Sequence, residues 1–352
     1  KLETHMYTNG LLFSLLFACT SDKMTDTANA DSTQGCGVEI SGSYPFPEAM
    51  DMYYRAAITV SLSDEDATAS ISLADVSGTA IEGTTTINGT ELSFQPQSPL
   101  APSTDYVASV LYCGSSQPVP IPFRTSELGT PLEGGNEDLL HKTFAVDLTS
   151  GIVVEPPGVG ELLRALLENT FLIYAAAVDT NEITVVSALS AANSVEQNFC
   201  VPTLNDFPPV NISESPYFSL SSDSLQLTVE AYSANVYNFS VHGTFASDLS
   251  YFGGAYLEGE LDTREVYPLL ADFGIEADNA DDVCELLVNL GVPCISCSSD
   301  GEDYCLRLVL DQLVANSIEE EIYPVCESNC HDLCDDNLDA CSDPQPQDQV
   351  CE

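Results

Sequence analysis

Residues 91–106 read ELSFQPQSPLAPSTDY, and this stretch decides the architecture of the first part of the chain. Glu91–Phe94 is predicted to be a short strand that follows a tight hairpin at Asn88-Gly89. The Pro-Leu-Ala-Pro turn at residues 99–102 cannot continue that strand, so it forces a crossover. Tyr106 then enters the next strand, a place where β-sandwiches often hydrogen-bond a tyrosine hydroxyl to the backbone.

The neighbouring sequence continues as short runs of strand-forming residues separated by turn residues. About seven strands over residues 36–126 predict a β-sandwich. The further predicted strands are 58–62, 68–73, 84–87, 106–112 and 121–124.

Three motifs in this region resemble the bacterial Ig-like domain of surface-layer proteins and lipoproteins. They are ELSFQP at 91–96, PLAPSTDY at 99–106 and PFRTS at 122–126, and they occur in the order typical of that family. The resemblance implies a spacer or binding module without chemistry of its own, and it does not name a ligand. Cys36 and Cys113 lie near the start of the domain and near a late strand, where a disulfide would tie its two ends.

Residues 127–139 are predicted to be a linker, and residues 140–275 a β-rich domain of unknown function. Its predicted strands are 143–148, 171–178, 182–189, 224–232, 236–245 and 255–261. Short helices are predicted over 158–169 and after Asp262. The interpretation is one antiparallel sheet or partly closed barrel, with helices at one end. Such a barrel either encloses a small ligand or is filled by its own side chains.

The charge is strongly unbalanced, with 8 Lys and Arg against 55 Asp and Glu, for a net charge of −47. Nucleic acid and anionic lipid headgroups would be repelled, so nucleic-acid binding is excluded and any membrane attachment must be hydrophobic or covalent. A net charge of this size destabilises the folded chain by self-repulsion unless salt screens it. The charge therefore indicates a saline habitat or an ion-rich cell exterior, and the alternative is selection for solubility alone.

The N-terminus predicts export and lipidation. Residues 11–18 read LLFSLLFA, which fits the apolar core of a signal peptide and is too short to span a bilayer. Leu16-Phe17-Ala18-Cys19 resembles the bacterial lipobox, which implies a lipid on Cys19 and cleavage after residue 18. The alternatives are a signal peptide with an incidental cysteine and a buried apolar strand. Thr20 after the cysteine implies, by the same resemblance, sorting to the outer membrane.

Residues 20–35 are small, polar and acidic, and are predicted to be a flexible tether above the membrane. The expected location is therefore extracytoplasmic, lipid-anchored, at the outer membrane or cell surface of a bacterium.

Thirteen cysteines also favour an oxidising compartment. If Cys19 is acylated, twelve remain for disulfides, an even number. These candidates are Cys36, Cys113, Cys200, Cys284, Cys294, Cys297, Cys305, Cys326, Cys330, Cys334, Cys341 and Cys351. If Cys36 pairs with Cys113, parity requires a bond from Cys200 to one cysteine of the tail.

The tail, residues 276–352, is predicted to be a small α-helical unit held by disulfides. A helical stripe of Val283, Leu286, Leu287 and Leu290 ends at Gly291, and a second helix is predicted from Glu302 to about Asn316. The Cys294-x-x-Cys297 motif is compatible with zinc or redox chemistry, but structural disulfides are preferred for an exported protein.

The tail also contains a candidate calcium site. Asp335, Asn337 and Asp339 match the first half of a calcium loop, but Ala340 and Pro346 break the EF-hand pattern. No other cofactor is expected.

Catalytic motifs are not apparent, because the four histidines stand alone and no phosphate loop or nucleophile elbow occurs. The leading hypothesis is a non-catalytic cell-surface structural or interaction protein, with an unidentified protein or surface polymer as partner. The alternatives are a small-ligand or lipid-binding lipoprotein that uses the middle β domain, and an exported enzyme whose site is assembled from distant residues. A deep apolar pocket in the middle domain would favour the second hypothesis.

Overall fold

A computed structural model describes residues 36–157, 170–191, 194–199, 201–203, 207–229, 232–265, 267, 277–289 and 291–325. The described residues from Val38 onward belong to one compact unit. They are mainly β, as predicted, and contain several sheets and a closed barrel.

The first region consists of two sheets that share one core. Its strands are β1 (Ile40–Tyr44), β2 (Ala49–Met52), β3 (Ile58–Leu62), β4 (Ser70–Asp75), β5 (Ala80–Ile81), β6 (Gly83–Asn88), β7 (Glu91–Pro96), β8 (Asp105–Leu111) and β9 (Val119–Thr125). One sheet has the order β1-β3-β7-β6 and the other β2-β9-β8-β4-β5. Alternation along β3, β4, β7 and β8 sends their apolar residues to the shared interior, where Ile58, Leu92 and Val110 are fully buried.

The local features predicted for residues 88–106 are present. β6 and β7 form a hairpin in which Asn88 pairs with Glu91, and Gly89 has a φ of 59°, a conformation that glycine adopts readily. The turn at 99–102 carries the chain from one sheet to the other, because β7 and β8 belong to different sheets. The Tyr106 hydroxyl accepts a hydrogen bond from the backbone N–H of Ala101 at 2.9 Å. The resemblance to bacterial Ig-like domains stays a prediction.

The second region is a barrel. Its strands are β10 (Thr143–Val146), β11 (Ile152–Glu155), β12 (Phe171–Val178), β13 (Glu182–Leu189), β14 (Val210–Asn211), β15 (Tyr217–Val229), β16 (Tyr232–Phe245), β17 (Tyr251–Asp262) and β18 (Cys305–Ile318). All neighbours are antiparallel, in the order β10-β12-β13-β14-β15-β16-β17-β18. β18 pairs again with β10, with Thr143 opposite Ile318 and Val146 opposite Ala315, and this pairing closes the barrel. β11 pairs with an earlier segment of β18 than β10 does.

The tail differs from its prediction. The stripe ending at Gly291 does form a helix, α1 (Ala280–Asn289), which buries Val283 and Leu287. The helix predicted from Glu302 to about Asn316 is wrong, because these residues form β18. The barrel therefore extends past the predicted boundary at residue 275.

The physical reason lies in a change of register along β18. Its pairing with β17 shifts between Leu310 and Leu313, and Gln312 between them has a φ of 57°. This irregularity breaks the period of two in the apolar residues, so their spacing resembles that of a helix.

The two regions are in direct contact through the outer surface of the barrel. The Tyr53 hydroxyl lies 2.8 Å from Thr244 Oγ1, and the Arg55 guanidinium forms an ion pair of 2.6 Å with Glu214. Gly254 has a φ of 57°, and a Cβ on it would lie 2.3 Å from the Tyr53 ring. A side chain at residue 254 would therefore separate the two regions.

Candidate functional site

The barrel contains a cavity of about 160 Å³ that is partly open to solvent. Its lining residues are all apolar and come from every strand of the closed barrel and from adjoining loops. They are Leu139, Phe144, Val146, Leu148, Phe171, Ile173, Ala175, Ile183, Val185, Phe207, Val210, Phe218, Leu220, Leu225, Phe239, Val241, Phe245, Phe252, Ala255, Leu257 and Leu313.

Strand periodicity places these side chains. On β12, Phe171, Ile173 and Ala175 are two residues apart and all face the cavity. On β13, Ile183 and Val185 repeat this spacing. Because β18 pairs with β10, the sheet closes and the inward faces of its strands point toward one axis. The apolar side chains on these faces form the wall of the cavity.

Aromatic rings fill one end of the barrel. The rings of Phe218 and Phe245 have centroids 4.7 Å apart, and Phe252 lies 5.1 Å from Phe218. Phe144 contacts this group at 5.3 Å from Phe245. Leu220 and Leu225 on β15 and Phe239 and Val241 on β16 continue the apolar lining along the strands that carry two of these rings.

The lining provides hydrophobic and dispersion contacts only. None of the described lining residues is titratable or carries a side-chain hydrogen-bonding group. An unpaired charge or polar group would therefore be costly inside the cavity. Apolar cavities of about 150 Å³ in other proteins stay dry and bind benzene or xenon, so this cavity has the size for a small ring or a short alkyl chain.

The cysteines of the described tail form two disulfides. Cys284 is bonded to Cys294 and Cys297 to Cys305. Each cysteine of the Cys294-x-x-Cys297 motif thus has its own partner outside the motif, and disulfide sulfurs are not the thiolates that zinc or thiol exchange requires. Cys36 and Cys113 are both disulfide-bonded, and the bond between them stays a prediction.

Several predicted site residues lie outside the described residues and stay predictions. They are the lipidation residue Cys19, the disulfide candidates Cys200, Cys326, Cys330, Cys334, Cys341 and Cys351, and the calcium candidates Asp335, Asn337 and Asp339. The predicted helix over 158–169 and most of the helix predicted after Asp262 also lie outside them.

A row of rings crosses the outer surface of the barrel where it meets the first region. His242 on β16 stacks on Tyr256 of β17, with centroids 5.2 Å apart, and lies 5.8 Å from Tyr217 of β15. The Arg55 guanidinium lies over the ring of Tyr217, 3.7 Å from its centroid. The Nδ1 atom of His242 is buried and has no hydrogen-bond partner among the described residues. Burial therefore lowers the pKa of His242 below its ordinary value, and Arg55 lowers it further, against Asp311 and Glu258, which raise it.

We expect His242 to make the protein sensitive to mild acid. A lowered folded-state pKa means that the folded protein binds this proton less well than the unfolded chain does. The contribution of neutral His242 to stability is thus complete above pH 6.5 and is lost as the pH falls through the folded-state pKa. Thermal midpoints measured from pH 7.5 to 4.5 should fall less steeply for His242→Gln than for the wild type.

His141→Gln is the control, because His141 contacts Tyr174 on a different part of the barrel. It should keep the wild-type acid sensitivity. If His242→Gln and the wild type follow the same pH curve, His242 is not the responsible group.

Comparisons with known proteins give no family. No family model matches the chain, and no curated protein matches it. Among solved structures, an L,D-transpeptidase from Mycobacterium smegmatis matches with 14% sequence identity, covering 45% of this chain and 82% of that chain, with a TM-score of 0.20. A likeness this distant carries no argument about fold or activity.

Among the described residues, no helix combines the length and the apolar character needed to cross a bilayer.

The sequence predicts six of the eight strands that line the cavity. It does not predict Leu313, which lies in the segment predicted to be a helix, nor Val210, Phe218 and Leu220, which lie outside the predicted strands. It also missed Phe207, which lies in a loop, where no periodicity indicates an inward side chain.

Proposed function

We propose that this chain is an exported binding protein that holds a small apolar ligand inside its barrel. The observation that carries the proposal is a cavity of about 160 Å³ whose lining is entirely apolar. Small-molecule sites are concave and mostly apolar, and the interior of a barrel is a common place for them. The proposal includes no catalytic step, since the lining offers no group that could transfer a proton or attack a substrate.

Export and anchoring form the second part of the proposal. The two disulfides of the described tail support an oxidising compartment, where such bonds form and persist. We propose that a lipid on Cys19 holds the protein at the outer membrane or cell surface, that residues 20–35 act as a tether, and that the first region is a spacer of the bacterial Ig-like type.

Fluorobenzene is a suitable probe of the cavity, because its size matches ligands known to enter cavities of this volume. We expect its fluorine NMR signal to shift or broaden saturably on titration with the protein. Val185→Phe fills part of the cavity with a ring and should weaken binding at least about tenfold, which corresponds to about 1.4 kcal/mol.

Val288→Phe provides the matched control, since Val288 lies on α1 and is 55% exposed. It makes the same substitution away from the cavity and should leave binding unchanged. Absence of saturable binding to the wild type, or equal weakening by both substitutions, would contradict the proposal.

A cell-surface interaction protein without a small ligand is the second candidate. It is favoured by several large apolar side chains exposed on the first region, among them Phe46 at 61%, Met50 at 66% and Val76 at 73%. Exposed apolar groups that cluster can mark a protein interaction site. If fluorobenzene does not bind saturably, this candidate becomes the preferred function.

A further inference from the structure

We infer that the first region forms part of the binding site, because its residue Tyr53 holds a bulge in β17 that directs two lining residues inward. This inference rests on the proposed function in one respect, namely that the cavity is a binding site. Tyr53 is not among the residues that line the cavity, so it is a positioning residue that acts through the wall of the barrel.

A β-bulge interrupts β17 at two consecutive glycines, Gly253 and Gly254. Gly253 pairs with Thr244 and Tyr256 with His242, so three steps along β17 correspond to two steps along β16. The register with β18 shifts at the same place. Gly254 has a φ of 57°, a conformation that glycine adopts readily at such bulges. Since neither glycine has a side chain, the bulge gains no packing from its own residues.

The bulge decides which side chains of β17 face the cavity. Phe252 and Ala255 both line it, although residues three positions apart face opposite sides of a regular strand. The extra residue between them restores the inward direction. The Phe252 ring packs 5.1 Å from Phe218, and a Cβ on Gly243 would lie 3.0 Å from the Ala255 methyl group. Loss of the bulge would therefore turn one of these side chains out of the cavity and change its shape.

Side chains from the core of the first region cover the two glycines on the outside of the barrel. A Cβ on Gly254 would lie 2.3 Å from the Tyr53 ring, and a Cβ on Gly253 would lie 3.2 Å from Leu128. The Tyr53 hydroxyl is also hydrogen-bonded at 2.8 Å to the fully buried Thr244, the partner of Gly253 on β16. Glycine has more backbone freedom than any other residue, so these outside contacts restrict a segment that cannot restrict itself.

Amide hydrogen exchange of the intact protein tests this contact without a ligand. In Tyr53→Ala we expect residues 251–257 to exchange at least about tenfold faster, because the bulge can open locally. Tyr53→Phe keeps the ring over Gly254, so exchange there should stay within about twofold of the wild type. Residues 171–178 of β12 should exchange at the wild-type rate in both variants.

Tyr112→Ala is the matched control, since Tyr112 is also a partly buried tyrosine packed against the core of the first region. It makes the same truncation but leaves the Tyr53 ring over Gly254 in place. Exchange of residues 251–257 should therefore stay at the wild-type rate. If Tyr112→Ala accelerates it as much as Tyr53→Ala does, the effect is not specific to Tyr53 and the inference is overturned.

Fluorobenzene titrations connect the bulge to the cavity. In Tyr53→Ala the affinity should fall about fivefold, the size of effect that substitutions without ligand contact can have. The fluorine chemical shift of the bound ligand should also move, because Phe252 and Ala255 change position around it. Tyr53→Phe should restore both the affinity and the bound chemical shift, and Tyr112→Ala should change neither.

The outcomes separate the inference from the proposed function. Wild-type exchange, affinity and bound chemical shift in Tyr53→Ala would overturn the inference and leave the proposed function standing. Faster exchange with unchanged binding would also overturn it, because the bulge would then not shape the site. If fluorobenzene does not bind the wild type, the proposed function fails, and the exchange data alone decide whether Tyr53 holds the bulge.

Discussion

Replacing Cys200 and Cys326 together by serine is expected to lower the free energy of unfolding by about 5 kcal/mol. In the chain-entropy model, a bond between residues 126 positions apart removes this much loop-closure entropy from the unfolded chain. The effect would be a large fraction of the stability of an ordinary domain.

Parity gives the first reason to expect this bond. Cys284, Cys294, Cys297 and Cys305 pair among themselves. If Cys19 is acylated, Cys36 pairs with Cys113 and every other cysteine is bonded, the partner of Cys200 is one of the five cysteines that remain in the tail, Cys326, Cys330, Cys334, Cys341 and Cys351.

Contacts of the flanking residues select Cys326 from these five. Thr203 donates its backbone N–H to the carbonyl of Val325 at 3.0 Å, and Val325 donates its N–H to Thr203 Oγ1 at 3.1 Å. Phe199 packs against Val325, and Gln197 hydrogen-bonds the backbone of Tyr323 at 2.7 and 2.9 Å. Cys200 and Cys326 lie outside the described residues, but the residues next to each of them are in contact.

The matched control is Cys284→Ser with Cys294→Ser. This pair closes a separation of 10 residues, for which the same model gives about 3 kcal/mol. Denaturant unfolding compares the two double variants, and non-reducing peptide mapping identifies the bond directly. A free thiol at Cys200, or its bond to another cysteine of the tail, would show that the flanking contacts do not select the partner.

Leu313→Ala is expected to destabilise the protein by about 2–5 kcal/mol, the range for truncating a fully buried leucine. Leu313 is 1% exposed and lies on the strand that closes the barrel. A Cβ on Gly151 would lie 2.6 Å from its side chain, so Leu313 also packs tightly against the segment before β11. Truncation leaves a void there and lengthens the cavity.

Val314→Ala is the neighbouring control. Val314 is 39% exposed, so the same kind of truncation should cost within about 0.5 kcal/mol. The enlarged cavity of Leu313→Ala should in addition bind fluorobenzene at least as tightly as the wild type does, and saturating ligand should recover part of the lost stability. If both variants unfold at the same denaturant concentration, Leu313 does not support the barrel core.

Several strands could be predicted from sequence to within a few residues, but the predicted 224–232 misses the first seven residues of β15. The predicted 171–178 and 182–189 coincide with β12 and β13, because both are runs of strand-forming residues bounded by turn residues. Five strands were missed, since they are short or polar on one face and carry little periodic signal. They are β1, β2, β5, β11 and β14. β18 was misassigned because its register change removes that signal.

The sequence by itself determined the β-rich class, the crossover at residues 99–102, the apolar faces of the barrel strands and the strong negative charge, because these follow from local composition and period. Only the tertiary structure decided that the barrel closes, that its interior is a cavity, and which cysteines of the described tail are paired. The closing contact joins β10 to β18, which lie about 170 residues apart in sequence, so no local pattern contains it. Whether inward apolar side chains meet or leave a space depends on this closure and on how the phenylalanine rings pack, and both are properties of the assembled barrel.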